Sequence, residues 1–345
     1  MVGVAASVVG VGLLECGAQA AQVRVDRPVK DSRITESSGL TASLLHPGVL
    51  WTHNDSGNPP LLYALATNGS TTATLRIRHC LDRDWEAITS LRGPDGTPLL
   101  AVGDIGDNRS VHPEIEIVLV REQARLRSAR VDPVHVLRLT YPRDLGPSDA
   151  ETLLADPRTG RLYLVTKGLF SGRMFAVPQA VWPGGASSAA GGTLHGVLEP
   201  MGAVPWGLVT DGAFLPDGRI VLRTYSTIMV MPPPEQDRSH TVETLADADA
   251  PDQPQGEGLA VLPDGALVLS SEKVHQPILR VPLPPGTSPV ASAPTGSATS
   301  QGARDRTASA AASRTSGNGR GAGGALLAAA VVVATALVVR RLRRH

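Results

Sequence analysis

The chain has 345 residues, and its 32 Lys and Arg balance its 32 Asp and Glu. Eight arginines but only two acids, Glu15 and Asp305, lie outside residues 21–285. That stretch is therefore net acidic by about six charges, which argues against nucleic acid as a partner. The only cysteines are Cys16 and Cys80, with no zinc-type Cys/His spacing, which excludes a disulfide scaffold and a zinc module.

Residues 1–20 are small and apolar, and "AQA" at Ala18 to Ala20 has the form of a signal-peptidase site. A signal peptide over 1–20 is expected, with a start codon upstream because no Lys or Arg precedes the apolar run. A lipoprotein reading through Cys16 fits less well, since bulky Glu15 stands where a small residue belongs.

From residue 21 to 285 one unit recurs. Each copy opens on a polar residue, then a small and an aliphatic one: "SGLTASLLHPGVLWTHNDSG", "WEAITSLRGPDGTPLLAVGDIGDN", "AETLLADPRTGRLYLVTKG", "TDGAFLPDGRIVLRTYS" and "QGEGLAVLPDGALVLSSE". The openings are Ser38 (with Glu36 two places before), Glu86, Glu151, Asp211 and Glu257. A tight turn follows in every copy ("HPG", "GPDG", "DPRTG", "LPDG", "LPDG"), where Pro presets φ and Gly accepts positive φ. Third strands are expected at "LLYALA", "IEIVLVRE", "RMFAVP", "IMVMP" and "ILRVPLP", which start 50 to 58 residues apart. Fourth strands are expected at "TATLRIRH", "VHVLRLTYP", "LHGVLEP" and "HTVETLAD". "REQARLRSARV" reads as a loop or one turn of helix.

The fifth copy has no fourth strand, and "AQVRVDRP" at residues 21–28 is a strand without a partner. Short strands with turn punctuation at this period predict an all-β, five-bladed propeller with four strands per blade. The N-terminal strand is expected to complete the last blade and close the ring.

Residues 286–320 are rich in Pro, Ser, Ala, Thr and Gly without an apolar period, and are expected to form a disordered stalk. Residues 321–339 carry no charge and are long enough for one C-terminal transmembrane helix. The basic tail 340–345 marks its cytoplasmic side. The expected protein is single-pass in the cell membrane, with its N-terminal domain extracellular.

In a propeller the first strand of each blade lines the axis, so the opening residues should face one another. Converging carboxylates repel unless they are protonated or share a cation, and oxygen-only ligands suit Ca²⁺. The alternative is that they accept hydrogen bonds from neighbouring backbone and hold no ion. The same face should carry His53, Asp55, Asp104, Asp107, Asn108, Lys167, Arg223, Tyr225, Glu272 and Lys273. Among these, "HNDSG" and "GDIGDN" also read as Asx-turns, and His53 reads either as a general base or as a turn residue.

The five openings resemble those of the calcium-activated nucleotidase (apyrase) family of five-bladed propellers. The "E-G-L" opening is also similar to phytase-like and gluconolactonase-like propellers. The whole arrangement looks most like secreted actinobacterial propellers with "ESSGL", "HNDSG" and "GDIGDN" segments. The nucleotidase resemblance implies a central Ca²⁺ held by Ser38, Glu86, Glu151, Asp211 and Glu257; by position Glu36 is the alternative to Ser38 as a metal ligand. Two functions remain open: a cell-surface binding or scaffold module for a small-molecule or surface ligand, and a Ca²⁺-dependent hydrolase of phosphate or other esters. For the second, Lys167, Arg223, Lys273 and Arg109 are few cations for phosphate chemistry. Nucleophile elbow, His-Glu zinc motif and glycine-rich phosphate loop are all missing from the sequence.

Overall fold

Five sheets make up the computed structural model, which describes residues 22–181, 192–234 and 244–287. The chain enters through β1 (Arg24–Arg27). Blade 1 follows as β2 (Ser37–Ala42), β3 (Leu50–Asn54), β4 (Leu61–Leu65) and β5 (Thr71–Ile77). Blade 2 is β6 (Trp85–Arg92), β7 (Pro98–Asp104), β8 (Glu114–Arg121) and, after a short β9 (Ala129–Val131), β10 (His135–Thr140). Blade 3 is β11 (Ala150–Ala155), β12 (Leu162–Thr166), β13 (Gly172–Ala176) and, after β14 (Gly192–Val197), β15 (Glu199–Val204). Blade 4 is β16 (Val209–Phe214), β17 (Ile220–Thr224), β18 (Thr227–Met231) and β19 (Ala246–Asp249). Blade 5 is β20 (Gly256–Val261), β21 (Leu267–Ser271) and β22 (Ile278–Val281).

The expected closure is present. Strand β1 pairs antiparallel with β22, with Arg24 opposite Arg280 and Val25 opposite Leu279, and so supplies the fourth strand of blade 5. The first strands β2, β6, β11, β16 and β20 pack side by side in that order and return to β2. Their hairpins turn on glycines such as Gly96 (φ 78°) and Gly265 (φ 80°), conformations a side chain would strain.

Each of the five apolar cores lies between two neighbouring blades. Trp51, Leu62 and Leu75 of blade 1 meet Trp85, Leu100 and Val118 of blade 2, and the same arrangement repeats around the ring. Each sheet is therefore covered on both faces. This explains why second strands such as Leu162–Thr166 and Leu267–Ser271 are buried along their whole length instead of alternating. Sheets and cores are contained in residues 22–287, so the propeller is a folding unit in itself.

The outer strands differ from expectation in four places. Blades 1 and 2 have five strands, because β9 runs parallel to β5 and β14 runs parallel to β10. The stretch "REQARLRSARV" thus ends in a strand rather than a helical turn. "LHGVLEP" is split between β14, which belongs to blade 2, and β15, which is the fourth strand of blade 3. In blade 4 the fourth strand is Ala246–Asp249, later than "HTVETLAD" suggests. Among the described residues no helix is long and apolar enough to cross a membrane. The expected signal peptide, membrane span, basic tail and all but Gly286 and Thr287 of the stalk lie outside the described residues.

Candidate functional site

Antiparallel strands alternate in direction, so the loop after each second strand and the connection into each next blade open on one face. The first strands begin on that face, and each begins with a β-bulge, an extra residue that re-aims a side chain. Ser38, Glu86 and Glu151 are the bulged residues of blades 1 to 3, and Glu257 lies in the bulge of blade 5. In blade 4 the bulged residue is Thr210. Asp211 falls one place later, opposite Arg223, where blades 1 to 3 hold Gly39, Ala87 and Thr152.

These residues are all buried, and hydrogen bonds and ion pairs engage them in smaller groups. Asp211 accepts hydrogen bonds from the N–H of Gly212 (2.8 Å) and of Leu259 in blade 5 (2.7 Å). Burial raises its carboxyl well above the usual range, against those N–H donors. Glu151 takes an ion pair from Lys167 Nζ at 2.8 Å, and that ammonium also lies 5.3 Å from the Tyr225 ring centre. Tyr225 donates its hydroxyl to Glu257 Oε1 at 3.3 Å. Ser38 Oγ donates to Glu86 Oε2 at 2.9 Å. Glu36 accepts from Asn58 Nδ2 at 2.8 Å and bridges through its backbone to Glu272, which is also buried.

One group does converge. Asp55, Asp84 and Glu86 bring a carboxylate oxygen each to within 4.8 Å of one another, the single group of three possible metal ligands among the described residues. Asp55 comes from the loop after β3, Asp84 from the connection just before β6 and Glu86 from the start of β6, so the cluster sits between blades 1 and 2. Only Glu86 of the expected ring joins it. The third wall is Gly106, after β7: a Cβ there would stand 2.4 Å from Asp84 Oδ2 and 2.8 Å from Glu86 Cγ. A glycine at this position leaves space beside the carboxylates that any side chain would fill. The same loop is pinned from its other side, where Asp107 N–H donates to Asp149 Oδ1 at 2.7 Å.

Several other candidates are tied to neighbouring groups as well. Asp104 accepts from the backbone and side chain of Arg83, 21 residues earlier, and Asp107 from His112 N–H, five residues on, so neither makes the local bond of an Asx-turn there. Asn108 is exposed beside them. Arg223 is fully buried and donates Nη1 to the carbonyls of Gly258 (2.9 Å) and Ser270 (3.0 Å). Burial lowers it to about 10, so it stays charged at neutral pH.

His53 is fully buried too, its Nδ1 within 2.9 Å of the Asn54 carbonyl and its ring edge-on to Trp85. Desolvation lowers its pKa from 6.5 to about 4, so the ring is neutral in the fold. Between those values the unfolded chain binds the proton and the folded chain refuses it, so stability is lost as pH falls. The full loss is on the order of 3 kcal/mol. Wild type should therefore lose more melting temperature between pH 7 and pH 4.5 than His53→Gln does. Equal losses in the two proteins would contradict this.

All six non-glycine residues with positive φ among those described, His79, Ser110, Leu208, Gln255, Lys273 and His275, lie in loops of this face. Strained backbone gathers where function constrains a chain, whereas the opposite face makes its hairpin turns with glycine. The repeat does not single out Asp84, although "DRDWE" places it two residues before Glu86.

No protein-family model and no curated protein matches this chain. Among solved structures it is similar to the apo-form soluble aldose sugar dehydrogenase of Escherichia coli, at 12% identity and a TM-score of 0.39, covering 75% of this chain and 98% of that one. A gluconolactonase from Xanthomonas campestris gives 12% and 0.38, covering 73% and 88%. A calcium structure of a family AA12 carbohydrate-active enzyme from Trichoderma reesei gives 11% and 0.37, covering 70% and 79%. Likeness at this level carries no argument about chemistry.

Proposed function

We propose that this chain is a membrane-anchored extracellular propeller that works as a binding or scaffold module, with a Ca²⁺ ion held between blades 1 and 2. The observation that carries the cation is the Asp55–Asp84–Glu86 cluster beside Gly106. Three carboxylates this close repel unless a positive charge joins them. Their oxygens, with Ser38 Oγ next to Glu86, form the all-oxygen donor set that a hard cation takes. Calcium would supply charge neutralisation there, and the chain's part is to draw two blades and the Gly106 loop onto one point. The extracellular, anchored setting rests on the sequence signals at residues 1–20 and 321–345.

The binding reading is preferred to the hydrolase reading because the groups that chemistry needs are already engaged. His53 is enclosed and neutral, Arg223 serves backbone carbonyls, and Lys167 is paired with Glu151. A panel of nucleotide, phytate and lactone substrates should show no calcium-dependent turnover. Turnover abolished by chelator would overturn the binding reading.

The cation itself has a separate test. Gly106 has ordinary backbone angles, so Gly106→Ala adds bulk without backbone strain. Elemental analysis should find calcium in the purified wild type and at least tenfold less in this variant, on the scale expected when one ligand is displaced. Equal metal content in the two proteins would show that the cluster is not the site.

A further inference from the structure

We infer that the loops of blades 2 and 3 on the strained face form a docking surface for an anionic lipid bilayer. Phe170 is 77% exposed, the most exposed large hydrophobic residue described, and Leu169 beside it is 59% exposed. Both stand at the tip of the loop after β12. Val111, 60% exposed, stands at the tip of the equivalent loop of blade 2, the neighbouring blade. A water-soluble surface gains nothing by presenting a phenyl ring and two aliphatic side chains on adjacent loop tips, and such exposure marks an interaction site.

Charge selects the partner. Arg109 is in the loop of Val111, Arg143 in the connection between the two blades, and Arg173 at the start of β13, and all three are exposed. Among the described residues none of these guanidiniums meets a carboxylate. Asp144 is the one exposed acid of the Val111 loop, the Phe170 loop and the connection between them, and Asp82 is exposed in the connection into blade 2. An acidic propeller thus carries a basic patch where its apolar tips protrude. Apolar tips that enter the acyl boundary while arginines meet phosphates is the pattern of a peripheral membrane surface. Convex tips on separate loops suit a fluid surface, whereas a protein partner would need a complementary groove for each.

The proposal does not depend on the calcium centre, since the arginines carry the charge. The test uses residues 22–287, which hold all five sheets, sedimented with vesicles of phosphatidylcholine alone or mixed with phosphatidylglycerol. Binding is expected only to the mixed vesicles, with or without chelator at a temperature where both forms are folded. Leu169→Ser with Phe170→Ser should weaken it by about tenfold or more, as loss of a buried phenyl ring implies. Arg109→Gln and Arg143→Gln should each cost about fivefold. All four positions are exposed, so melting temperatures should not move.

Inorganic phosphate should not displace the protein, which separates a bilayer from a free anion site. No binding to anionic vesicles, or binding indifferent to the Leu169 and Phe170 changes, would overturn the proposal. So would loss of binding with chelator, because the cation would then carry the charge. Self-association of the propeller through the same residues would assign the patch to a second copy instead.

Discussion

Deleting residues 22–27 should leave the propeller without a cooperative melting transition. Strand β1 is the outer strand of blade 5, but it also reaches across to blade 1. Arg27 is almost fully buried and donates Nη1 to the carbonyls of Gly48 (2.7 Å) and Leu65 (3.2 Å), both in blade 1. Just after it, Lys30 N–H donates to the Gly69 carbonyl at 3.0 Å. Gly69 packs so closely on Pro28 that a Cβ there would stand 1.9 Å from the Pro28 carbonyl oxygen. The strand therefore joins the last blade to the first. Its loss strips the hydrogen bonds from β22 and strands the buried Leu65 carbonyl, at a cost of about 1–3 kcal/mol. Together with the apolar edge exposed, this approaches the whole stability of an ordinary domain, about 5–15 kcal/mol. Arg27→Met, which keeps the strand and removes the donors, should lower stability by about 1–3 kcal/mol on the same ground. Circular dichroism melting decides it: a sharp transition near the wild-type temperature after deletion would mean that the ring closes without β1.

The second large effect is expected from chelation. A ligand that binds only the folded state adds RT ln(1 + [L]/Kd), about 2.7 kcal/mol at a hundredfold excess over Kd. For a domain of this size that corresponds to about 5–10 °C in melting temperature. Excess chelator should therefore lower the wild-type transition by that amount relative to excess calcium. Asp84→Asn and Glu86→Gln each remove one negative charge at nearly constant shape, so each should abolish most of the difference. Glu151→Gln and Asp211→Asn should retain it, because those carboxylates are engaged with Lys167 and with backbone N–H groups outside the cluster. This contrast separates a site between two blades from an axial ring. A chelator response that depends equally on all four residues would restore the axial site.

The architecture was legible in the sequence because its cause is local. Buried hairpins with a glycine turn recur at a regular spacing, and a blade that lacks a strand must find one elsewhere. The segment Arg24–Arg27 was free to supply it. Strand β9 was illegible, and so was the blade to which β14 belongs, for the opposite reason: each is held by parallel pairing to a strand of the preceding blade and has no turn of its own. The site was half legible. Repetition pointed to Ser38, Glu86, Glu151 and Glu257, but repetition cannot show which acids find other partners. A bulge one residue earlier in blade 4 moved Thr210 into the register that Asp211 was expected to hold. Asp84 lies in a connection, outside the repeated unit, and meets Asp55 only because two blades pack together. Contacts between loops of different blades have no sequence period, so the cluster emerges only in three dimensions.

Calorimetric titration of calcium into metal-free protein decides whether Asp55, Asp84 and Glu86 hold a cation. Wild type should bind one calcium per chain, and Asp84→Asn, folded and melting cooperatively, should show no comparable heat. No binding by wild type, or the same stoichiometry and affinity in Asp84→Asn, would rule out a cation held by these three carboxylates.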